Sequence, residues 1–239
     1  MSASKIELSL TPALYCYRNL HDHHTTVAVD VLRATTSICA AFQAGAEEIV
    51  PLDSLEPLRH YRTLGYISAA ERGGKKVEGA ECGNSPTEYL TMDLHGKRLA
   101  YSTTNGTVSI LCGSDADRTL VGAFANITAL TQRLLSKAQD LVIICSGWQN
   151  DFSIEDTLFA GALCQRLIAS GQYTSTHDAV HMAIDLWQTC AGNPYDYSMR
   201  YANHVQRLIG FGAEKDIEFA FRTDTCPLVP ILKEGRLTI

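Results

Sequence analysis

With 239 residues and 46% hydrophobic content, the chain can bury one large core or two smaller fused ones. A formal net charge of −6 disfavours nucleic acid and anionic membranes as partners, and no run nears the ~18 consecutive apolar residues of a membrane span. An acidic protein that handles a polyanion must gather its cations, or a metal, in one place. The opening MSASKIELSLTP alternates apolar and polar residues, unlike a secretory signal, so a cytoplasmic protein is expected. Residues 26–31 (TVAVDV) read as a buried strand, followed by a helix over 35–45 that ends at Gly45. A strand at 47–52 and a helix at 54–64 come next. Further strands are expected at 97–102, 119–124 and 140–146, with helices near 107–112 and 127–138. The stretch 155–209 reads as mostly helical, and 217–231 as strand-like again.

This alternation predicts an α/β fold, a mixed or parallel sheet flanked by helices in three layers. No linker, charge block or low-complexity tract divides the chain. Residues 1–239 are therefore read as one unit, with two fused α/β lobes as the alternative and no boundary placed between them. A short echo links VDVLRATTSICAA and AYSTTNGTVSILC, each running strand, Thr-Thr, helix. It puts two hydroxyl-rich turns at strand ends, where open α/β sheets bind ligands. The eight cysteines contain no C-x-x-C pair, and several lie in apolar segments such as LVIICSG, the pattern of buried reduced thiols.

Asp30 ends the first strong strand and Arg33 lies in the turn after it. A carboxylate there can hold a divalent cation and a guanidinium can fork onto phosphate; an Asp–Arg ion pair or a turn acceptor is the structural alternative. Leu32 stands where an aspartyl-phosphate enzyme would carry its second Asp, so Asp30 fits a metal ligand better than a nucleophile. In AAERGGKKVEGAECGNSPTEY (69–89), Arg72, Lys75 and Lys76 cluster with Glu71, Glu78 and Glu81 among glycines that permit close backbone approach. The alternative is a solvated charged loop. Ser85, Pro86 and Glu88 form a capping box, a structural role compatible with an anion at the helix start. Ser102, Thr103, Thr104, Asn105, Gly106 and Thr107 join strand to helix. Asn105-Gly106 favours positive φ there, and the turn reads as a concave anion nest or as an ordinary turn. Ser153 and Asp156 have capping-box spacing after the loop 147–150, and one of Glu155 and Asp156 is left to reach a metal.

Three apparent motifs are rejected. Cys112 and Arg118 have cysteine-phosphatase spacing, but Asp115 and Asp117 would repel a phosphate dianion from that loop. His177 and His181 mimic a zinc helix without the Glu base or a third ligand. The run His21-Asp22-His23-His24 reads as a polar loop.

Taken together, VDVLRATTSICAAFQAGA (29–46), ERGGKKVEGAECGNSPTEY (71–89), STTNGT (102–107), SIEDTLFAGAL (153–163) and HVQRLIGFGAEKDIEFAF followed by VPIL resemble the 2-phosphosulfolactate phosphatase family. Ala70 departs from the Gly that commonly precedes Glu-Arg there. The resemblance implies an α/β fold peculiar to that family and Mg²⁺-dependent hydrolysis of 2-phospho-3-sulfolactate to 3-sulfolactate and phosphate, a step toward coenzyme M. It points to Asp30, Arg33, Glu71, Arg72, Glu78, Asn84, Thr103, Thr104, Asn105 and Asp156. The expected assignment has Asp30, Glu71, Glu78 and Asp156 as the metal set. Arg33, Arg72, Lys75, Asn84 and residues 102–106 hold the substrate, and metal-activated water attacks phosphorus. Asp30, Arg33, Glu71, Arg72 and Asp156 are the catalytic candidates. The rival readings are another small anionic phosphomonoester as substrate, a non-catalytic phosphometabolite-binding protein, or a zinc hydrolase on His177 and His181. A homodimer is expected only because most soluble oligomers are symmetric.

Overall fold

The computed structural model describes residues 3–17, 23–149, 151–190 and 192–239. In chain order the first elements are β1 (Ser4–Ser9), α1 (Pro12–Cys16), β2 (Thr25–Val29), α2 (Ala34–Gln43) and β3 (Glu48–Leu52). Then come α3 (Leu58–Thr63), β4 (Ile67–Arg72), β5 (Lys75–Lys76), α4 (Pro86–Tyr89), β6 (Arg98–Ser102) and α5 (Gly106–Cys112). The second half holds β7 (Arg118–Gly122), α6 (Ile127–Ser136), β8 (Leu141–Cys145), α7 (Ile154–Ala169), β9 (Tyr173–Thr174) and α8 (Asp178–Cys190). It closes with α9 (Pro194–Tyr201), α10 (Asn203–Ile209), α11 (Glu214–Ala220), β10 (Ile231–Lys233) and β11 (Arg236–Thr238).

All strands belong to one mixed 11-stranded sheet, ordered β5-β4-β6-β3-β11-β10-β7-β2-β8-β1-β9. It consists of two parallel arms, β4-β6-β3 and β7-β2-β8-β1-β9, with β5 added antiparallel at the outer edge of β4. The C-terminal hairpin β10-β11 lies between them, antiparallel to β7 on one side and to β3 on the other. The chain crosses from β2 through α2 to β3 and returns from β6 through α5 to β7. The β4-β6-β3 arm is therefore one stretch of sequence inserted between β2 and β7 of the other arm, and no linker marks their junctions.

Side chains alternate across the sheet as its period of two requires. In β2, Val27 and Val29 join the core under α6, α7 and α8, while Ala28 faces the core of α2, α4 and α5. In β6, Leu99 and Tyr101 join this second core, and Ala100 packs with Leu58 of α3 on the opposite face. Helices thus cover both faces, as the α/β reading expects. Among the described residues, no helix is long and apolar enough to cross a membrane.

The expected strand character of 217–231 is a misreading. Residues up to Ala220 belong to α11, whose first turn carries Glu214 and Asp216 and whose Ile217 and Ala220 are buried at helical spacing. The strand begins only at Ile231. Strands β1 and β4 are additions to the sequence reading, and the strand expected over 26–31 stops at Val29, leaving Asp30 and Val31 in the following turn.

Candidate active site

The turns leaving β2 and β6 meet. The carboxylate of Asp30 is buried, its Oδ1 accepting the Ala34 N–H at 3.2 Å. Thr35 closes the turn: its hydroxyl accepts the Asp30 N–H at 3.0 Å and donates to the Asp30 carbonyl at 2.8 Å. Opposite stands Gly106, at the start of α5. A Cβ there would lie 2.6 Å from Asp30 Oδ2 and 2.3 Å from Ala34 Cβ. Glycine is required at this position for close approach, and not for the positive φ expected of the Asn105-Gly106 pair; Asn105 has φ −124° and Gly106 is not left-handed. Thr103 is locked by Thr107, whose N–H donates to Thr103 Oγ1 at 3.2 Å and whose hydroxyl donates to the Thr103 carbonyl at 3.1 Å.

Glu71, buried at the end of β4, ties the β4-β5 hairpin to this turn. Its carboxylate accepts the Gly74 N–H and, at 3.2 Å, the Thr104 N–H. Asp30, Arg33, Glu71, Asn84, Thr104 and Asn105 all line one cavity of about 500 Å³, part of it open to solvent. Burial pushes the Asp30 carboxyl up to about 6; nearby His204 and the Ala34 N–H oppose this, and the charges of Glu71 and Glu155 add to it. Two carboxylates thus face one partly enclosed space that also carries guanidinium groups.

The family comparison agrees with the geometry. The model of the 2-phosphosulpholactate phosphatase family matches residues 10–235. The chain belongs to this family. A relative from Caldanaerobacter subterraneus subsp. tengcongensis is 31% identical over 92% of this chain and 93% of its own length. Others from Thermotoga maritima (33%, covering 88% of this chain and 90% of the relative) and a Picosynechococcus species (36%, covering 87% and 88%) are similar. Each of the three is named a probable 2-phosphosulfolactate phosphatase.

In this member of the phosphosulfolactate phosphatase family, the remaining candidates are placed differently. Arg33 lines the cavity, but its Nη1 donates to Asp216 Oδ2 at 2.8 Å and its Nη2 to the Gly74 carbonyl at 2.7 Å. Arg72 turns away from the cavity lining, donating to the Glu71 carbonyl at 2.6 Å and to Ser102 Oγ at 2.9 Å. Ser102 in turn donates to the Ser54 carbonyl at 3.0 Å. Lys75 is exposed, its Nζ 5.0 Å from the centre of the Phe211 ring. Glu78 is exposed on a separate groove with Arg59 and Arg62, apart from the cavity of Asp30.

Asp156 is buried behind the cavity. Its Oδ1 accepts the Val31 N–H at 2.8 Å and its Oδ2 the Gly147 N–H at 3.1 Å, so it braces two loops. Burial, with Asp30 and Glu155 adding, holds its carboxyl well above the usual range. Ser153 makes no side-chain cap to α7, contrary to the capping-box reading, and the Asp156 carboxylate is given to these loop amides. Ser85 does cap α4, its Oγ accepting the Glu88 N–H at 3.2 Å. Among the described residues, no three His, Cys, Asp or Glu side chains converge as a metal cage. The four-carboxylate set expected from the sequence is therefore not gathered, and Asp30 and Glu71 alone of it line the cavity.

The Cys112–Arg118 segment is not built as a phosphate-binding loop. Burial raises the Cys112 thiol to about 11, and Arg118 donates to Thr25 Oγ1 at 2.9 Å and the Lys137 carbonyl at 3.0 Å. His21, Asp22 and Asn150 lie outside the described residues.

Four positions in or beside the cavity, Trp148, His204, Arg207 and Asp216, are absent from the site expected from the sequence. Asp216 of α11 is a hub: besides Arg33, its carboxylate accepts Ser85 Oγ–H at 2.7 Å and the Thr87 N–H at 3.3 Å. His204 and Arg207 of α10 line the cavity with Trp148. His204 Nδ1 lies 3.3 Å from Oε1 of buried Glu155. The 204/207 spacing puts both on one helical face, and His204, Arg207 and Asp216 all lie in the family-like stretch HVQRLIGFGAEKDIEFAF.

Proposed function

We propose that this protein is a Mg²⁺-dependent phosphatase that hydrolyses 2-phospho-3-sulfolactate to 3-sulfolactate and phosphate. The observation that carries the reading is the convergence of Asp30, Glu71 and the Thr104-Asn105 turn on one cavity, in a chain whose relatives bear that name. The donor set fits Mg²⁺, which commonly takes one or two carboxylates and completes its shell with water and substrate phosphate. Asp30 and Glu71 would hold it, and a cation would relieve the cost of ionising Asp30 beside Glu71. Bound there, Mg²⁺ supplies charge neutralisation at the phosphoryl oxygens and an activated water.

The protein's own groups do the rest. Thr104 gives its N–H and hydroxyl to Glu71 and so fixes that carboxylate, and the neighbouring Asn105 offers its amide to the transferring group. Arg33, fixed by Asp216, sets the cavity's positive wall and adds charge stabilisation as the phosphoryl group moves. His204 has its Nδ1 turned to Glu155, leaving Nε2 to give a proton to the departing oxygen. A cytoplasmic location is supported by eight cysteines that form no disulfide.

The test is phosphate release from a panel of small organic phosphates, with Mg²⁺ and with EDTA, on wild type and Asp30→Asn. Activity should need the cation, favour the sulfonated substrate and fall at least about a hundredfold in the variant, as when a main electrostatic element is lost. Preference for a substrate lacking the sulfonate would defeat the specific assignment. Ligand-induced stabilisation with no phosphate release would favour the binding-protein reading.

A further inference from the structure

We infer that Arg207 sets substrate selectivity by binding the sulfonate, the anionic group of phosphosulfolactate that stands one bond farther from the phosphoester than the carboxylate does. This rests on the phosphatase reading and adds a recognition element to it.

Two guanidinium groups line the cavity, Arg33 and Arg207. Arg33 already has a carboxylate and a carbonyl as partners. Arg207 has neither a carboxylate nor a hydrogen-bond acceptor among the described residues. Its guanidinium instead lies 5.0 Å from the centre of the Trp148 ring and 5.5 Å from that of Phe211. Aromatic faces hold the planar group in place while leaving its in-plane N–H donors unused. Such a fork matches two oxygens of a sulfonate or carboxylate.

The surroundings are shaped for this side chain. Gly74 has φ +87°, and a Cβ on it would fall 2.8 Å from the Phe211 ring. A Cβ on Gly73 would lie 3.7 Å from Arg207 Nη2. The hairpin therefore leaves space for α10 to bring Arg207 to the cavity. Lys75, on the same hairpin, places its ammonium against the other partner of that stack, Phe211, and strengthens the positive potential there.

Position decides which substrate group Arg207 meets. The phosphoester belongs with Asp30, Glu71 and the 104–105 turn, on the walls formed by β2, β4 and β6. Arg207 arrives from a separate wall, α10. A ligand whose only other anion is the carboxylate next to the phosphoester leaves this cation without a partner, whereas one with a sulfonate on the far carbon answers both walls.

The experiment compares kcat/KM for 2-phospho-3-sulfolactate and for phospholactate, which lacks the sulfonate, in wild type, Arg207→Gln and Arg207→Lys. Arg207→Gln should reduce the preference for the sulfonated substrate about thirtyfold or more, the loss expected when one member of a desolvated charge pair is removed. Arg207→Lys should recover only part of it. Equal losses on both substrates would overturn the assignment and move Arg207 to the phosphoryl group. Calorimetric titration of 3-sulfolactate and lactate, with melting temperature as the control for folding, needs no turnover. Binding of 3-sulfolactate that is weakened in Arg207→Gln supports the assignment, and unchanged affinity overturns it. Absence of phosphate release from wild type would sink the phosphatase reading alone, because the titration still reports on Arg207.

Discussion

Replacing Gly106 by Ala adds one methyl group where two helices begin. That methyl would sit 2.3 Å from Ala34 Cβ and 2.6 Å from Asp30 Oδ2. Carbon–carbon contact is comfortable only beyond about 3.5 Å, so the starts of α2 and α5 must separate by roughly 1 Å. Neither yields freely. Ala34 is fully buried and its N–H holds Asp30, while Thr107 and Thr103 lock the other turn. Helix propensity alone would favour Ala by about 1 kcal/mol, but overpacking costs about 1–3 kcal/mol. A displacement of about 1 Å at a reacting centre can cost about a hundredfold in rate. Gly106→Ala should therefore lower unfolding free energy by up to about 2 kcal/mol and phosphate release by about a hundredfold. Urea unfolding followed by circular dichroism, alongside steady-state phosphate release, measures both. A variant at least as stable as wild type, with activity within about twofold, would refute the close-approach argument.

Three further outcomes follow from neighbouring groups. The folded Asp30 carboxyl, at about 6, lies above its unfolded value of about 3.9. Its contribution to stability is fully present below about pH 4 and is lost as pH rises through about 6. In EDTA, Asp30→Asn should remove that part of the pH dependence and be more stable than wild type at about pH 8; parallel urea-denaturation profiles would contradict this. Asp216→Ala leaves the Arg33 guanidinium buried without its carboxylate and frees Ser85 and Thr87. It should cost about 3–5 kcal/mol in urea unfolding, and a loss below about 1 kcal/mol would show that the hub is not structural. Glu78→Gln alters an exposed side chain on another groove, so phosphate release should stay within about twofold. A tenfold or larger loss, about 1.4 kcal/mol, would place Glu78 in the reaction.

The strands rich in Val, Ile and Leu were legible because burial on both faces gives continuous apolar runs, as in β2 and β8. Strand β4 was hidden by its small and charged residues, ISAAER, which read as the edge of a charged loop. The residues IEFAF suggested strand by propensity, but tertiary burial of Ile217 and Ala220 at helical spacing won. The arms could not be separated in sequence because α2 and α5 cross between them and the last hairpin joins them. Asp30, Glu71, Thr104 and Asn105 stood in local motifs that announce a turn or a strand end. Asp216, His204 and Arg207 lie on helices whose polar residues look like an ordinary solvated face. Their meaning comes from distant partners, as with Arg33 and Asp216, 183 positions apart.

The most direct test of the whole account is a crystal structure of the protein with Mg²⁺ and inorganic phosphate. The cation is expected on Asp30 and Glu71, with the phosphate beside it against Thr104 and Asn105. Phosphate seated only in the Arg59–Arg62 groove, or a cation held away from Asp30, would contradict it.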